Sequence, residues 1–569
     1  MVSFSAFSSL LLLGLLLLAS AAPNAKQRRQ KSVIQLIGDG FGPASETFAR
    51  SFVQARDGSP WDTQLALDSH LIGSIRTRST DSLVTDSAAS ATAYSCGVKS
   101  VNAYIGVDND KRPCGTILEG AKAKGYNTAL VTTSRVTHAT PASYSAHIDD
   151  RDEENEIASQ QLGGYSLGRQ VDLLWGGGRR HFLPNSSSTS SRKDSRDLIS
   201  EAKRNGWTVV LNRTEFESFH NGSTVSFPSL GLFTSSHMAY EIDRNHTAEP
   251  SLTEMAITAL NALKKDGKPF FIMIEGARID HAAHNNDPIG HVHDIIEYNN
   301  MFEAVKRWVD ENDHNDDEEE PQYLMVSTAD HECGGLALAY QRPEDEEGAY
   351  LWYPDVLLKG KRSTEFLAAE YLKFAANKTG DELKTRMADY VIRDNLGISD
   401  ASDEEVQRAL DLSKQNDTGL ALTIWLASIV NWRAHLSWST TGHSGVDVNL
   451  YLHTKRSRPA LVKKMRGNHE NSWIGTFTAD YLGLDLASIT QRLNNGSKIP
   501  AGAGSANKTT YLDHYHGGVK RVVPAISVAK RSNEIGYSHA ENDAIWARRA
   551  STAHEASHLS LHRRSTNEL

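Results

Sequence analysis

The segment Glu275-Gly-Ala-Arg-Ile-Asp280-His-Ala-Ala-His284 follows an apolar run at 269–274 that reads as a buried strand. A carboxylate ends the run. A second carboxylate and an imidazole follow four residues apart, which puts both on one face where a helix begins. A buried strand that empties into charged donors narrows the available folds, because its faces need cover while its C-terminal end opens on a cleft. The pattern recurs. The run at 33–37 ends in Gly38-Asp39-Gly40-Phe41-Gly42 and a helical stretch at 44–54. The run at 128–133 leads to His138-Ala-Thr140-Pro141, and the run at 323–327 leads to Thr328-Ala-Asp330-His331-Glu332. Strands alternating with helical patterns predict an α/β fold, with a large central, mostly parallel sheet and helices on both faces. Functional residues then belong at the C-terminal ends of the strands.

The 569 residues suffice for one large α/β domain or two to three smaller ones, and a net charge of −10 argues against a nucleic-acid binder. Residues 10–19 are almost all leucine and precede Ala19-Ser20-Ala21, so 1–21 reads as a cleaved signal peptide. The positively charged start of such a peptide is missing, and 4–22 is about long enough for a signal anchor, which is the rival reading. Arg28-Arg29 suggests a short propeptide over 22–31. The main domain is expected over 32–486, and 487–569 reads as a C-terminal extension, partly disordered and without a lipid-anchor signal. With the signal cleaved, no stable membrane span is expected. The Ser-rich stretch 185–195 and the acidic run 310–320 read as surface loops. Eight Asn-x-Ser/Thr sequons support passage through the secretory pathway, with secretion favoured over a vacuolar lumen or an anchored form. Cys96 and Cys114 flank a polar loop and could pair in an oxidising compartment, or all three thiols could stay free. Cys333 is left over two residues after a candidate ligand; core packing is its default reading and a thiol ligand the alternative.

Thr85-Asp86-Ser87-Ala-Ala-Ser-Ala-Thr-Ala is a run of small residues suited to a tightly packed helix start. Alone, it reads as an aspartate cap with a serine-rich first turn. A serine there also sits where backbone N–H groups receive an anion, and with no Gly-x-Ser-x-Gly elbow a metal is its expected activator. Arg151 lies among Asp149, Asp150 and Asp152; it is either a phosphate fork or a surface ion pair. His443, in Ser439-Thr-Thr-Gly-His443-Ser-Gly, is one more candidate ligand. Mixed carboxylate and imidazole donors suit Zn2+, and carboxylates with a hydroxyl suit Mg2+, so the donor counts point to two transition-metal sites and one magnesium site.

In this combination and order, the motifs resemble the alkaline phosphatases over roughly 32–486. The resemblance implies phosphate monoester hydrolysis, a central mixed sheet and a homodimer. It implies Ser87 as nucleophile and Arg151 as the phosphate-binding arginine. It implies Asp280, His284 and His443 as ligands of one Zn2+ and Asp39, Asp330 and His331 as ligands of a second. Asp39, Thr140 and Glu275 would hold Mg2+, with Asp39 bridging. Cys96 and Cys114 stand at places similar to a disulfide of animal members. His138 and His281 depart from the bacterial pattern, which has an aspartate and often a lysine there; an imidazole near the magnesium is expected to weaken its retention. The alternatives are a phosphodiesterase or sulfatase relative of the same fold, or a secreted metal-binding protein without catalysis.

Overall fold

The computed structural model describes residues 31–314, 321–341, 348, 350–415 and 419–495. Ten strands form the main sheet. They are β1 (Ser32–Gly38), β2 (Leu71–Arg76), β3 (Asn127–Arg135), β4 (Leu173–Gly177), β5 (Thr208–Val210), β6 (Ser229–Leu232), β7 (Phe270–Gly276), β8 (Tyr323–Ala329), and Val448–His453 and Gly467–Glu470 near the end of the described chain. The order across the sheet is Gly467–Glu470, β2, Val448–His453, β8, β1, β7, β3, β4, β6, β5. Val448–His453 runs antiparallel to both neighbours; every other pairing is parallel. The mostly parallel sheet expected from the strand ends is therefore present.

The central strands β1, β7 and β8 are buried at every position, so side chains on both faces are covered. This is why their sequences read as continuous apolar runs and not as an alternation. The helices Pro43–Asp57, Leu252–Asp266 and Pro288–Asn312 supply apolar residues to the same core, among them Phe48, Leu260 and Phe302. The expected helix at 44–54 is the core of Pro43–Asp57, started by a proline in its first turn and ended by Gly58 in the left-handed region.

The acidic run does not begin as a loop. Asp310 to Asn312 form the last turn of Pro288–Asn312, where Asp310 pairs with Lys306 one turn back and with His453 at 2.8 Å. Residues 315–320 lie outside the described residues. The Ser-rich stretch does form turns, pinned by Arg192, which donates to Asp194 and to the carbonyls of Asn155 and His181. The helix Leu486–Asn495 continues the fold past 486; Gly115 N donates to Thr490 Oγ1, and Asn494 donates to Pro113 O. The proposed signal, propeptide and remaining tail lie outside the described residues. Among the described residues, no helix is long and apolar enough to cross a membrane.

Candidate active site

Four adjacent strands, β8, β1, β7 and β3, carry the strand-end donors. Gly38 of β1 is level with Ala329 of β8, so Asp39 and Asp330 emerge side by side. Glu275 is level with Ile37 on one side and Thr132 on the other. Gly40 makes this close packing possible: its φ is +72°, and a Cβ there would lie 2.6 Å from Asp280 Cα. Its N–H donates to Asp330 Oδ1 at 3.2 Å.

Ser87 opens the helix Ser87–Cys96, whose residues are all buried. Asp86 caps that helix, its Oδ1 accepting from Ala89 N at 2.9 Å. The aspartate cap expected of the small-residue run is therefore present, and it fixes where Ser87 begins the helix. The helix is tied to β8 by Ser90, which donates to Asp330 O at 2.8 Å, and by Tyr94, which donates to Ala329 O. Ser87 Oγ lies 3.0 Å from His331 Nε2, and the same nitrogen faces Asp330 Oδ2 at 3.2 Å and Asp39 Oδ1 at 3.6 Å. Cys96, the last residue of this helix, is joined to Cys114 by a disulfide.

A second cluster combines Asp280 and His284, one helical turn apart in Arg278–His284, with His443. His284 Nδ1 donates to Thr441 O at 2.6 Å, and His443 Nδ1 donates to Thr85 O at 2.8 Å. A neutral imidazole that donates from Nδ1 keeps its lone pair on Nε2. The two Nε2 atoms face each other at 3.2 Å, with Asp280 Oδ2 3.2 Å from His284 and Asp280 Oδ1 3.5 Å from His443. Converging lone pairs with carbonyl-fixed outer nitrogens are what a bound cation requires.

The donor set also fails to satisfy itself. Both oxygens of Asp39, Oδ1 of Asp280, Oδ2 of Asp330, Oε1 of Glu275 and Oγ1 of Thr140 are buried and make no hydrogen bond. Burial, then Asp330, Asp280 and Glu275, push the Asp39 pKa well above the usual carboxylate range. Burial is also the chief cause that lifts Glu275 to about 7, opposed by Thr132. At Asp280 burial acts in the same sense, but His284, His443 and His331 outweigh it and hold the pKa well below the ordinary value. Four buried carboxylates with orphaned oxygens need cations to neutralise them. The residues present therefore fit divalent metals: Asp280, His284 and His443 in one set, Asp39, Asp330 and His331 in another, and Glu275 and Thr140 behind Asp39.

Arg151 is buried and reaches past its acidic neighbours to Asp86, with Nη1 3.0 Å from Oδ2; its Nη2 donates to His138 Nε2 at 3.2 Å. His138 belongs to a third cluster with His281 and His237. Arg278 Nη1 donates to His281 Nδ1 at 3.0 Å, and the Arg135 guanidinium donates to His237 Nε2. Burial foremost, and then these arginines with the neighbouring imidazoles, depress all three histidine pKa values well below the ordinary value. A guanidinium only donates, so His138 and His281 accept on that side and keep their N–H on the other ring nitrogen, while His237 also faces the Arg135 backbone N–H at Nδ1, 3.4 Å away. This polarity is opposite to that of His284 and His443; it suits neutral donors beside an anion and not ligands of a cation. Sequence reasoning passed over His237, Asp86 as the holder of Arg151, and Thr132 and Ser134, both of which donate to Glu275 Oε2. The strand-end rule applied to β6, which closes at Leu232, would have reached His237.

A family model for alkaline phosphatase matches residues 30–484. The chain is 41% identical over 537 residues to the repressible alkaline phosphatase of Saccharomyces cerevisiae, covering 90% of this chain and 93% of that one. It is also 41% identical to the alkaline phosphatase of Schizosaccharomyces pombe, over 82% of this chain and 84% of the relative. Among solved structures, it is similar to the cold-active alkaline phosphatase of a psychrophilic Shewanella sp., with 28% identity, a TM-score of 0.64, and coverage of 79% of this chain and 99% of that chain. The Thermus thermophilus alkaline phosphatase aligns at 27% identity with a TM-score of 0.65, over 81% and 92%.

Proposed function

The chain belongs to the alkaline phosphatase family and hydrolyses phosphate monoesters; we propose that it does so through a phosphoserine at Ser87 with two Zn2+ and one Mg2+. The observation that carries this reading is the position of Ser87 Oγ, 3.0 Å from His331 Nε2 at the edge of buried carboxylates with oxygens that make no hydrogen bond.

Asp280, His284 and His443 would hold one zinc, and Asp39, Asp330 and His331 the other. Asp39, Thr140 and Glu275 would hold the magnesium. When bound, the ions supply Lewis-acid polarisation of the serine and leaving-group oxygens. Ser87 gives its hydroxyl proton to solvent and Oγ attacks phosphorus in line; the Oγ–P bond forms, the P–O bond to the alcohol breaks, and the departing oxygen takes a proton from water. Arg151 turns its remaining N–H groups to the non-bridging oxygens, and Asp86 fixes its fork. The first turn of the helix Ser87–Cys96 presents backbone N–H groups to the same anion. Water then gives up a proton as its oxygen attacks phosphorus, the P–Oγ bond breaks, Ser87 Oγ takes up a proton, and phosphate leaves with the serine hydroxyl restored. His138 and His281, as neutral donors, border the transferred group. His138 also stands where an anionic side chain would help retain magnesium, so added Mg2+ should stimulate the enzyme.

The protein is proposed to act as a homodimer in the secretory pathway, outside the cell or in a vacuolar lumen. The disulfide and the eight sequons support that placement. The test is hydrolysis of p-nitrophenyl phosphate with Zn2+ plus Mg2+, with chelator, and in Ser87→Ala, together with acid trapping of labelled phosphoenzyme. Chelator should abolish turnover, and Ser87→Ala should lose the trapped label while keeping its metals. A label retained in that variant removes Ser87 from the role. Faster turnover of a diester or a sulfate than of the monoester would overturn the substrate assignment.

A further inference from the structure

The cleft continues past the proposed metal set. β4 lies beside β3, and β6 beside β4, so their C-terminal ends open on the same edge of the sheet. β4 runs into Gly178-Arg179-Arg180-His181, and β6 into the segment that carries His237. Gly178, at φ +94°, lets the two segments meet: a Cβ there would lie 2.9 Å from Arg135 Cβ, and its N–H donates to Ser236 O at 2.8 Å. Arg180 N–H donates to Ser235 O at 3.1 Å, which sets Arg180 beside the His237 segment; both residues are half-buried. The His237 ring is centred 5.3 Å from that of His138, which takes a hydrogen bond from Arg151.

Donors outnumber acceptors here. Arg135 is buried and donates from Nε to Glu154 Oε2 at 2.7 Å, where Thr137 Oγ1 also donates at 2.6 Å. Its guanidinium and its backbone N–H face the two ring nitrogens of His237, of which a neutral imidazole offers only one as acceptor. Arg192 is engaged by Asp194 and two carbonyls. Arg180 donates from Nε to His181 Nε2 at 3.1 Å, and among the described residues it makes no ion pair. Burial, then Arg135, lower its pKa from the ordinary value, against Glu154. A half-buried cation beside a second cation is costly until an anion meets it. Resting on the phosphate site above, we propose that Arg180, backed by Arg135 and His237, is a second anion subsite, which takes a carboxylate or further phosphate carried on the alcohol part of the substrate. Arg180 offers its Nη N–H groups as a fork to two oxygens of that group, while Ser87 and Arg151 handle the phosphate that is cleaved. The net charge of −10 repels such substrates at long range, so a preference for them has to come from local cations.

The test measures kcat/KM of the metal-loaded full chain on ω-carboxyalkyl phosphates of increasing chain length, each divided by the value for the plain alkyl phosphate of the same length. In wild type the ratio should exceed one and peak at one length, where the carboxylate reaches Arg180. Arg180→Gln should lower the peak ratio by roughly 5-fold, the upper end of what a partly exposed ion pair contributes. Arg307→Gln removes the same charge from an exposed position in the helix Pro288–Asn312 and should leave the ratio unchanged. Melting temperature reports folding of both variants. An equal fall in the two variants shows a long-range charge effect and overturns the subsite, as does an unaltered ratio in folded Arg180→Gln. Wild type that hydrolyses alkyl phosphates without a preferred carboxylated length overturns this proposal alone. Wild type that turns over neither series at full metal occupancy overturns the phosphate-site reading with it.

Discussion

Replacing Asp86 by asparagine tests how the proposed nucleophile Ser87 and the proposed phosphate fork Arg151 are held together. Asp86 is 6% exposed and spends both oxygens on distinct partners. Oδ1 accepts from Ala89 N at 2.9 Å, while Oδ2 accepts from Ala103 N at 2.8 Å and from Arg151 Nη1 at 3.0 Å. An amide has one acceptor and one donor end, so either orientation turns an NH2 group against a donor. The less costly orientation keeps the oxygen on Ala103 and Arg151 and gives up the cap, worth about 1 kcal/mol. It also exchanges an ion pair for an ion–dipole hydrogen bond, a further loss of about 1–1.5 kcal/mol. Stability should therefore fall by about 2–2.5 kcal/mol. The share falling on Arg151 corresponds to a loss of roughly tenfold in kcat/KM. On the proposed role of Arg151, which holds phosphate in ground and transition states alike, the inhibition constant of inorganic phosphate should rise by a similar factor. Asp86→Ala leaves the guanidinium buried and unpaired and should cost about 3–5 kcal/mol in addition to the cap. The assay is monoester kinetics with phosphate inhibition, and chemical denaturation at matched metal concentration. Wild-type kinetics in Asp86→Asn, or equal losses in the two variants, would refute the reasoning.

Glu46 is buried, with Oε2 accepting from Asn449 at 2.6 Å and Tyr451 at 2.7 Å; burial raises its pKa to about 7, opposed by Tyr451 and reinforced by Asp68. A carboxyl that keeps its proton longer when folded contributes stability below pH 4.5 that is lost as pH rises to about 7. Glu46→Gln should thus be near neutral at pH 5 and stabilise by up to about 3 kcal/mol at pH 8; melting curves showing no pH-dependent difference would contradict this. The Cys96–Cys114 disulfide closes a loop of sequence separation 18 at the end of the helix Ser87–Cys96. Cys96→Ser with Cys114→Ser should lose about 3 kcal/mol by loop entropy, read as a lower denaturation midpoint insensitive to reductant. Gly40→Ala must place a Cβ 2.6 Å from Asp280 Cα at φ +72°, so metal content and activity should fall together; a fully loaded, active Gly40→Ala would show that the backbone can yield there.

The local features of this chain were legible without coordinates. Apolar runs long enough for strands, each closed by a carboxylate or histidine, identify an α/β sheet with its chemistry at the C-terminal ends. Asp280 and His284 at a helical spacing identify two donors on one face. These are short-range properties, set by backbone periodicity and by the polarity of adjacent residues.

Local spacing does not specify which strand lies beside which. The order β8, β1, β7, β3, and the register that sets Asp39 beside Asp330 and Glu275 beside Thr132, arise from strand pairing over hundreds of residues. For the same reason local sequence left Arg151 open between a phosphate fork and a surface pair with Asp149, Asp150 and Asp152; its hydrogen-bonded carboxylate is Asp86, 65 residues away. His237 follows the end of β6 and Cys333 follows a candidate ligand, but neither position says what the side chain meets. Their neighbours, Arg135 across 102 residues and His443 across a two-residue ladder, exist only once the sheet has closed. The sequence by itself determined the donor types and the strand ends that carry them. Tertiary structure decided which donors converge and which arginine or carbonyl orients each imidazole, because long-range pairing and burial set those contacts.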